Sequence, residues 1–377
     1  MHVFLDSNIF FKKWFLESSQ LRLVFHYLNN ECETLFLSEL VVEEVDNKYR
    51  SLSAKTLSDL EREIANLKAF YPSLPVGLPV LDELPHYSLR NKLKEKVDSL
   101  SIVNYDDIPQ SEVVGRAIAS KRPFQEGEKG YRDTLIWLSF LRHLEKFEID
   151  GDVAFITANA KDFMGSGKGV FHPDLQEDLA AAGLTCRVHA FSSLNDFISE
   201  NVNAVDHLID ESKVEALVEG YLEDEGINYL ENMSHSHLLG LEEHLFGGVR
   251  VLANSSSITA LIVEGMEDLD LEATRDMGDG NVFIASTYEL RMIELDFDIT
   301  LHDYEVHKDA INKSEFVFDV SIGGGVVTIM SLVRPVYEVS FVYNVATEQC
   351  DGYYVDGLSF RRSNRSRLSA AKRGLAC

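Results

Sequence analysis

Cysteine is scarce. The 377 residues hold four, Cys32, Cys186, Cys350 and Cys377, far apart and with no C-x-x-C pair. That spacing excludes a disulfide scaffold and a thiolate metal site, and reads as reduced structural thiols. Long apolar runs are also missing: none approaches the ~20 residues that a membrane-spanning helix needs. No basic segment precedes an apolar core near the start, where the first lysines are Lys12 and Lys13. No secretory signal is therefore read, and a cytoplasmic protein without membrane contact is expected. Positive charge is the third deficit. Lysine and arginine number 35 against 62 acidic residues, a formal net charge of −27. A protein that binds nucleic acid over its whole surface is excluded.

What is present is ordinary for a soluble globular protein, with 45% hydrophobic and 26% charged residues and enough chain for two domains. The charge is uneven. Residues 201–249 carry eleven acidic side chains and one basic one, whereas residues 359–377 carry six basic side chains and no acid. That tail suits phosphate contact, a solubilising role or docking on the chain's own acidic surface.

Strand and helix patterns alternate through the first two hundred residues. Val3–Leu5, Thr34–Leu37, Val153–Ile156 and Cys186–Ala190 are short apolar runs typical of buried parallel strands. Helical patterns cover 39–48, 55–70, 87–99, 111–120, 133–144 and 173–182, and Ile9–Leu16 reads as a helix capped by Ser7 or Asn8. Pro72, Pro75, Pro79 and Pro85 mark a loop or a break between helices. This alternation implies an α/β fold, a parallel sheet covered by helices on both faces. After Asn201 the style changes. An acidic helical stretch, 206–232, leads to period-two strands at 287–300, 315–322, 326–332 and 337–344. The expected organisation is an α/β domain over 1–204, an acidic helical linker over 205–247, a β-rich domain over 248–358 and a basic tail over 359–377. No internal repeat is visible.

The chemistry begins at Val3–Phe11, VFLDSNIFF, where Asp6 stands between a strand and a helix start. Helix capping accounts for such a residue as well as a ligand role does. Other acids, however, fall at the same sheet edge. Glu44 lies in ELVVEEV after the second strand, Asp133 opens the apolar helix DTLIWLSFL, and Asp162 follows the strand VAFIT in TANAKDF. Clustered carboxylates repel unless a cation neutralises them, and an all-oxygen set suits Mg²⁺ or Mn²⁺. A site of that kind hydrolyses phosphodiesters.

The stretches VFLDSNIFF, ELVVEEV, GYRDTLIWLSFL and FITANAKDF follow the order and rough spacing of the PIN domain, a metal-dependent nuclease fold that this sequence resembles over about residues 1–200. The likeness is closest to a bacterial subgroup of longer PIN proteins with a K-R-P-F segment, here Lys121–Phe124, before the GYRD helix. It implies a three-layer fold with Asp6, Glu44, Asp133 and Asp162 as catalytic metal ligands for one or two Mg²⁺ or Mn²⁺ ions. Glu43 is the rival of Glu44. Asn8 and Thr157 match polar supports of the ligands. Asn159 departs from the family, where Asp is common, which puts a second metal in doubt. An endoribonuclease with a toxin-like or phage-defence role is expected, RNA being the commoner substrate of the family. A catalytically silent scaffold that binds RNA or protein, and a metal-dependent phosphatase or DNA flap nuclease, are the alternatives.

Arg116, Lys121, Arg122, Lys129 and Arg132 put five cations just ahead of Asp133 in an acidic protein, and are expected to hold the nucleic-acid backbone. Tyr131 suits base stacking or core packing equally. GSGKG at 165–169 lacks the spacing and the hydroxyl residue of a phosphate loop and reads as a flexible loop whose Lys168 could meet phosphate. His235, His237 and His244 lack further metal ligands and are expected to be solvated. TRDMGDGN lacks the last acid of a calcium loop and reads as a turn between strands. The β-rich domain offers surfaces for substrate, a regulatory protein or a second copy of the chain, with Tyr353, Tyr354 and Phe360 as candidate stacking groups.

Overall fold

The structure is a computed structural model that describes residues 1–72, 86–124, 129–205, 208–209, 211–233 and 235–361. Pro75, Pro79, Pro85 and the basic tail beyond Arg361 lie outside the described residues. The chain divides into two compact units, Met1–Val202 and Asn203–Cys377.

The first unit is built on five parallel strands: β1 (His2–Leu5), β2 (Leu35–Ser38), β3 (Leu100–Val103), β4 (Asp152–Ile156) and β5 (Arg187–Phe191). Their order is β3-β2-β1-β4-β5. Val3, Phe4 and Leu5 are wholly buried, as are Val153 to Ile156, because helices cover both faces. The helices are α1 (Ser19–Asn30), α2 (Glu39–Phe70), α3 (Leu89–Lys94), α4 (Gln110–Ile118), α5 (Tyr131–Phe147), α6 (Ala160–Phe163), α7 (Pro173–Ala182) and α8 (Leu194–Asn201). Phe4 and Phe155 stack at 5.1 Å on neighbouring strands, and Trp137 and Phe140 of α5 close over them.

Several elements differ from the sequence reading. Ile9–Leu16 is not a helix. A 3₁₀ turn, Ser7–Ile9, gives way to irregular turns in which Lys12 and Leu16 sit at positive φ, a conformation that no α-helix continues through. The two helices expected over 39–70 are one of 32 residues, only the first part of which is buried, at Val41, Val42 and Val45. Residues 87–99 form the short α3, and the next four, LSIV, complete the sheet edge as β3. Helices α1 and α8 were not anticipated.

The start of α5 is fixed by a close approach. Gly130 caps it at φ 102°, and a Cβ there would lie 2.3 Å from the carbonyl oxygen of Pro123. Only glycine fits both the conformation and the space. The K-R-P-F segment is thereby packed against the helix that carries Asp133.

The second unit is a six-stranded antiparallel sheet: β6 (Ser257–Asp276), β7 (Asn281–Thr300), β8 (Val317–Gly323), β9 (Val326–Val333), β10 (Pro335–Asn344) and β11 (Gln349–Phe360). The turn of TRDMGDGN joins β6 to β7, with Gly278, Asp279 and Gly280 all at positive φ. The 20-residue β7 is the spine. β6 runs along one side, while β10 and β9 lie end to end along the other.

Helices α9 (Glu211–Glu231), α10 (His235–Phe246) and α11 (Leu301–Lys313) complete the unit. Val218, Leu222, Leu230, Leu241 and Leu245 bring α9 and α10 into the same apolar core as the sheet. Tyr288 and Tyr337 stack at 4.8 Å and donate their hydroxyls to the carbonyls of Leu222 and Gly226, each at 2.9 Å. Glu223 and Glu231 of α9 accept from outward-facing amides of β6, Met266 at 2.7 Å and Ala260 at 3.1 Å. Among the described residues no helix is long and apolar enough to cross a membrane.

Candidate active site

The strand order reverses direction between β1 and β4, which pair side by side through Leu5 and Ile156. In open parallel sheets, ligands bind beyond the carboxyl ends of strands at such a point. Asp6 and Thr157 are the first residues past those two strands. The Asp6 amide still donates to Ile156 at 3.0 Å, so its position is set by the sheet.

Asp6 is both the cap and a member of an acidic cluster. Its buried carboxylate accepts from the Ser7 amide at 2.7 Å, Asn8 Nδ2 at 2.8 Å and Thr157 Oγ1 at 2.6 Å. Asn8 also reaches Thr157 Oγ1 at 3.2 Å and accepts the Ala158 amide at 2.9 Å, which locks both strand ends. Burial pushes the Asp6 carboxyl up to about 6, helped by the nearby Glu44 charge and opposed by the Thr157, Ser7 and Asn8 hydrogen bonds.

Glu44, in the second turn of α2, pairs with Arg132. Its neighbour Glu43 is exposed and accepts the Tyr105 hydroxyl at 2.9 Å instead. Of the two glutamates, Glu44 is the one whose charge bears on Asp6 and Asp133. Asp133 occupies the first turn of α5 and is half-buried. Its carboxyl is pushed up to about 7, by burial first and then by Asp6, Asp162 and Glu44, with Arg132 opposing. Asp162, buried in α6, accepts Asn159 Nδ2 at 2.8 Å and Arg122 Nη1 at 3.2 Å. The Asn159 amide donates to Thr157 Oγ1 at 2.9 Å, so Asn159 braces two members of the cluster. Four acids from four segments thus share one electrostatic field at one sheet edge.

A family model described as the PIN domain matches residues 3–163. The chain carries a PIN domain. The match lies within the first unit, and domains of this kind are generally metal-dependent nucleases that act on nucleic acids. No curated protein and no solved structure matches the chain significantly.

In this PIN domain the donor set is carboxylate oxygen throughout, which fits a hard divalent cation. The three like charges that help burial to raise the Asp133 carboxyl would be offset by the same ion. As the side chains stand, no three His, Cys, Asp or Glu among the described residues are gathered tightly enough to grip a metal. The reason is local: Glu44 and Asp162 are turned onto arginines, and Asp6 onto its hydrogen bonds.

The five cations expected to hold the nucleic-acid backbone divide into two groups. Arg116 is buried and paired to Asp178 of α7 at 2.7 Å, with a second bond to the Arg122 carbonyl. Lys121 reaches the same Asp178 at 2.9 Å, as does Trp137 Nε1. These two cations fasten the K-R-P-F segment to α7, and a buried Arg116 has no face to offer a phosphate. Lys129 and Arg132 are exposed, and Arg122 is partly so, with its amide held by Asp174 at 2.7 Å. Tyr131 is half exposed beside a shallow apolar pocket of about 360 Å³ lined by Val114, Ile118 and Phe124. Asp174 and Asp178 were missed in the sequence, although their i,i+4 spacing on a predicted helix puts both on one face.

The remaining motifs have structural roles. Lys168 pairs with Asp196 at 2.9 Å. His237 bonds the Tyr229 hydroxyl, and His244 packs 4.3 Å from the Phe316 ring, so these two histidines are not simply solvated.

Proposed function

We propose that the PIN domain of this chain hydrolyses phosphodiester bonds with Mg²⁺ or Mn²⁺, and that its substrate is RNA cut at internal positions. The observation that carries this reading is the gathering of Asp6, Glu44, Asp133 and Asp162 at one sheet edge, where burial first and then the other three acids raise the half-buried Asp133 carboxyl to about 7. Carboxylates in such company are usual where a cation is to be held. Asp6, Glu44 and Asp133 would hold the ion, with Asp162 on a second position or acting through water. When bound, such an ion lowers the pKa of a coordinated water and stabilises charge on the phosphate.

The chain's own residues do the rest. Asn8 and Thr157 fix the direction of the Asp6 oxygens. Asp133 stands in the first turn of α5, the end of a helix whose dipole favours anions. Lys129, Arg122 and Arg132, which precede or open α5 and are at least partly exposed, would hold the backbone, while Tyr131 would stack on a base. The preference for RNA, and a toxin-like or phage-defence role, rest on the resemblance to bacterial relatives. The β-rich second unit would direct or restrain the nuclease, by binding a regulatory protein or a second copy of the chain.

The test is cleavage of tRNA, mRNA and single-stranded DNA by the full chain with Mn²⁺, Mg²⁺ or EDTA, beside Asp6→Asn. Metal-dependent cuts in RNA that vanish in the variant are expected. A second reading draws on Asn159, whose amide binds Asp162 where an acid would take metal: a silent scaffold that binds RNA. RNA binding with no cuts under any metal would favour it.

A further inference from the structure

Two of the four acids at the sheet edge have a cation of their own and two do not. Glu44 is paired with Arg132, and Asp162 with Arg122. Asp6 is held by uncharged donors, and Asp133 has no hydrogen bond or ion pair among the described residues. Both arginines belong to one structural block, the entry to α5. Arg132 is its second residue, and Arg122 lies in the segment packed under Gly130.

The two partners in each pair differ in freedom. The acids are fixed, with only 17% of the Glu44 side chain and 11% of Asp162 exposed, whereas Arg132 is 67% exposed. The backbone of Arg122 is clamped, its amide on Asp174 and its carbonyl on Arg116, so its guanidinium alone can swing. The Glu44 pair, with its exposed Arg132, is weakly held; the Asp162 pair is more enclosed, with the Arg122 side chain 28% exposed. A divalent ion shared by several carboxylates competes with both pairs, because twice the charge meets the same oxygens.

We propose that Arg122 and Arg132 are internal counter-ions of the metal-free site: they hold Asp162 and Glu44 until a divalent cation displaces them, and the released guanidinium groups then take the phosphates of the bound strand. The same side chains thus exchange a carboxylate for a phosphate, two acceptors of matching geometry for the guanidinium fork. Metal loading and strand binding become coupled, each favouring the other. This rests on the metal-binding reading above.

The test measures Mn²⁺ binding to the full chain by calorimetry, for wild type, R122Q, R132Q, the double variant and K161Q. Lys161 neighbours Asp162 in sequence but has no ion pair among the described residues, so it reports the general loss of a positive charge. Removing a paired arginine should tighten Mn²⁺ by about fivefold or more, and K161Q by about twofold at most, since an exposed charge is screened. A second arm measures binding of a single-stranded RNA oligonucleotide with and without Ca²⁺. The double variant should lose about tenfold in affinity with the metal present and little without it. Equal Mn²⁺ affinity in both arginine variants and wild type overturns the proposal, as does an RNA loss that is the same with and without metal. If wild type and Asp133→Asn alike bind no Mn²⁺, the metal-binding reading itself fails.

Discussion

Thr157 donates its hydroxyl to Oδ2 of Asp6 at 2.6 Å, joining the ends of two adjacent parallel strands. Replacing Thr157 by Val keeps the shape and deletes the donor. The Asp6 carboxyl then rises further, and affinity for Mn²⁺ falls by roughly tenfold, the usual cost of losing a group that orients a ligand. Thr157→Ser restores it. A calorimetric titration that finds Val and wild type equal would show that this bond does not support metal binding.

Asp133 makes the metal-free protein less stable at neutral pH. The folded state holds its proton more tightly than the unfolded chain, so stability is greatest where both are protonated. It declines as pH rises from the ordinary carboxylate value, 3.8, and the loss is complete above about 7. Asp133→Asn removes the charge, and at pH 8 in EDTA it should stabilise the fold on the order of 2 kcal/mol, discounting the raised pKa for partial exposure and coupling to Asp6. The gain should shrink towards pH 4, while cleavage drops at least about a hundredfold. Urea melts at several pH values give the sign directly. A variant less stable than wild type at pH 8 would mean that its neighbours do not strain Asp133.

Gly130→Ala places a methyl group 2.3 Å from the Pro123 carbonyl at a φ of 102°. Strain of this kind costs on the order of 2 kcal/mol or more. Relief requires Lys121–Phe124 to move. Thermal melting should fall by several degrees, and RNA affinity should weaken with it through Arg122. Unchanged melting and unchanged binding would show that the close packing is not needed.

Asn159→Asp restores the acid common in the family and removes the amide that braces Asp162. Two carboxylates then face each other, so stability without metal should fall by about 1 kcal/mol. With Mn²⁺ a second equivalent should bind. A stoichiometry unchanged from wild type would mean that Asn159 is not what limits the second position.

The four acids were legible because each follows an apolar strand or opens an apolar helix, and sheet topology brings such positions to one edge. Register decided more than residue type. Glu44 and Glu43 are equivalent as letters, and only the helix phase sends one to Arg132, where its charge bears on Asp6, and the other to Tyr105. Arg116 and Lys121 of the basic cluster misled for a related reason. Arg116 is an exposed cation in any composition-based reading, yet Asp178, 62 residues later, takes it into the interior. Long-range pairings of that kind leave no mark in a local window. Likewise β3 was hidden because LSIV is short and follows a helix-like stretch, while the bend after Asp6 depends on left-handed Lys12 and Leu16, which no propensity announces.

The glutamates of α9 that reach β6 bear on how copies of the chain meet. An edge strand of twenty residues is an open template for another strand, and a flat one invites fibrous growth. Here Glu223 and Glu231 take amides on that rim, Gly265 leaves room for the first of them, and three register shifts bend the strand. The longest rim of the sheet is therefore spoiled for strand addition, so any pairing through strands is left to the much shorter rims at β8 and β11.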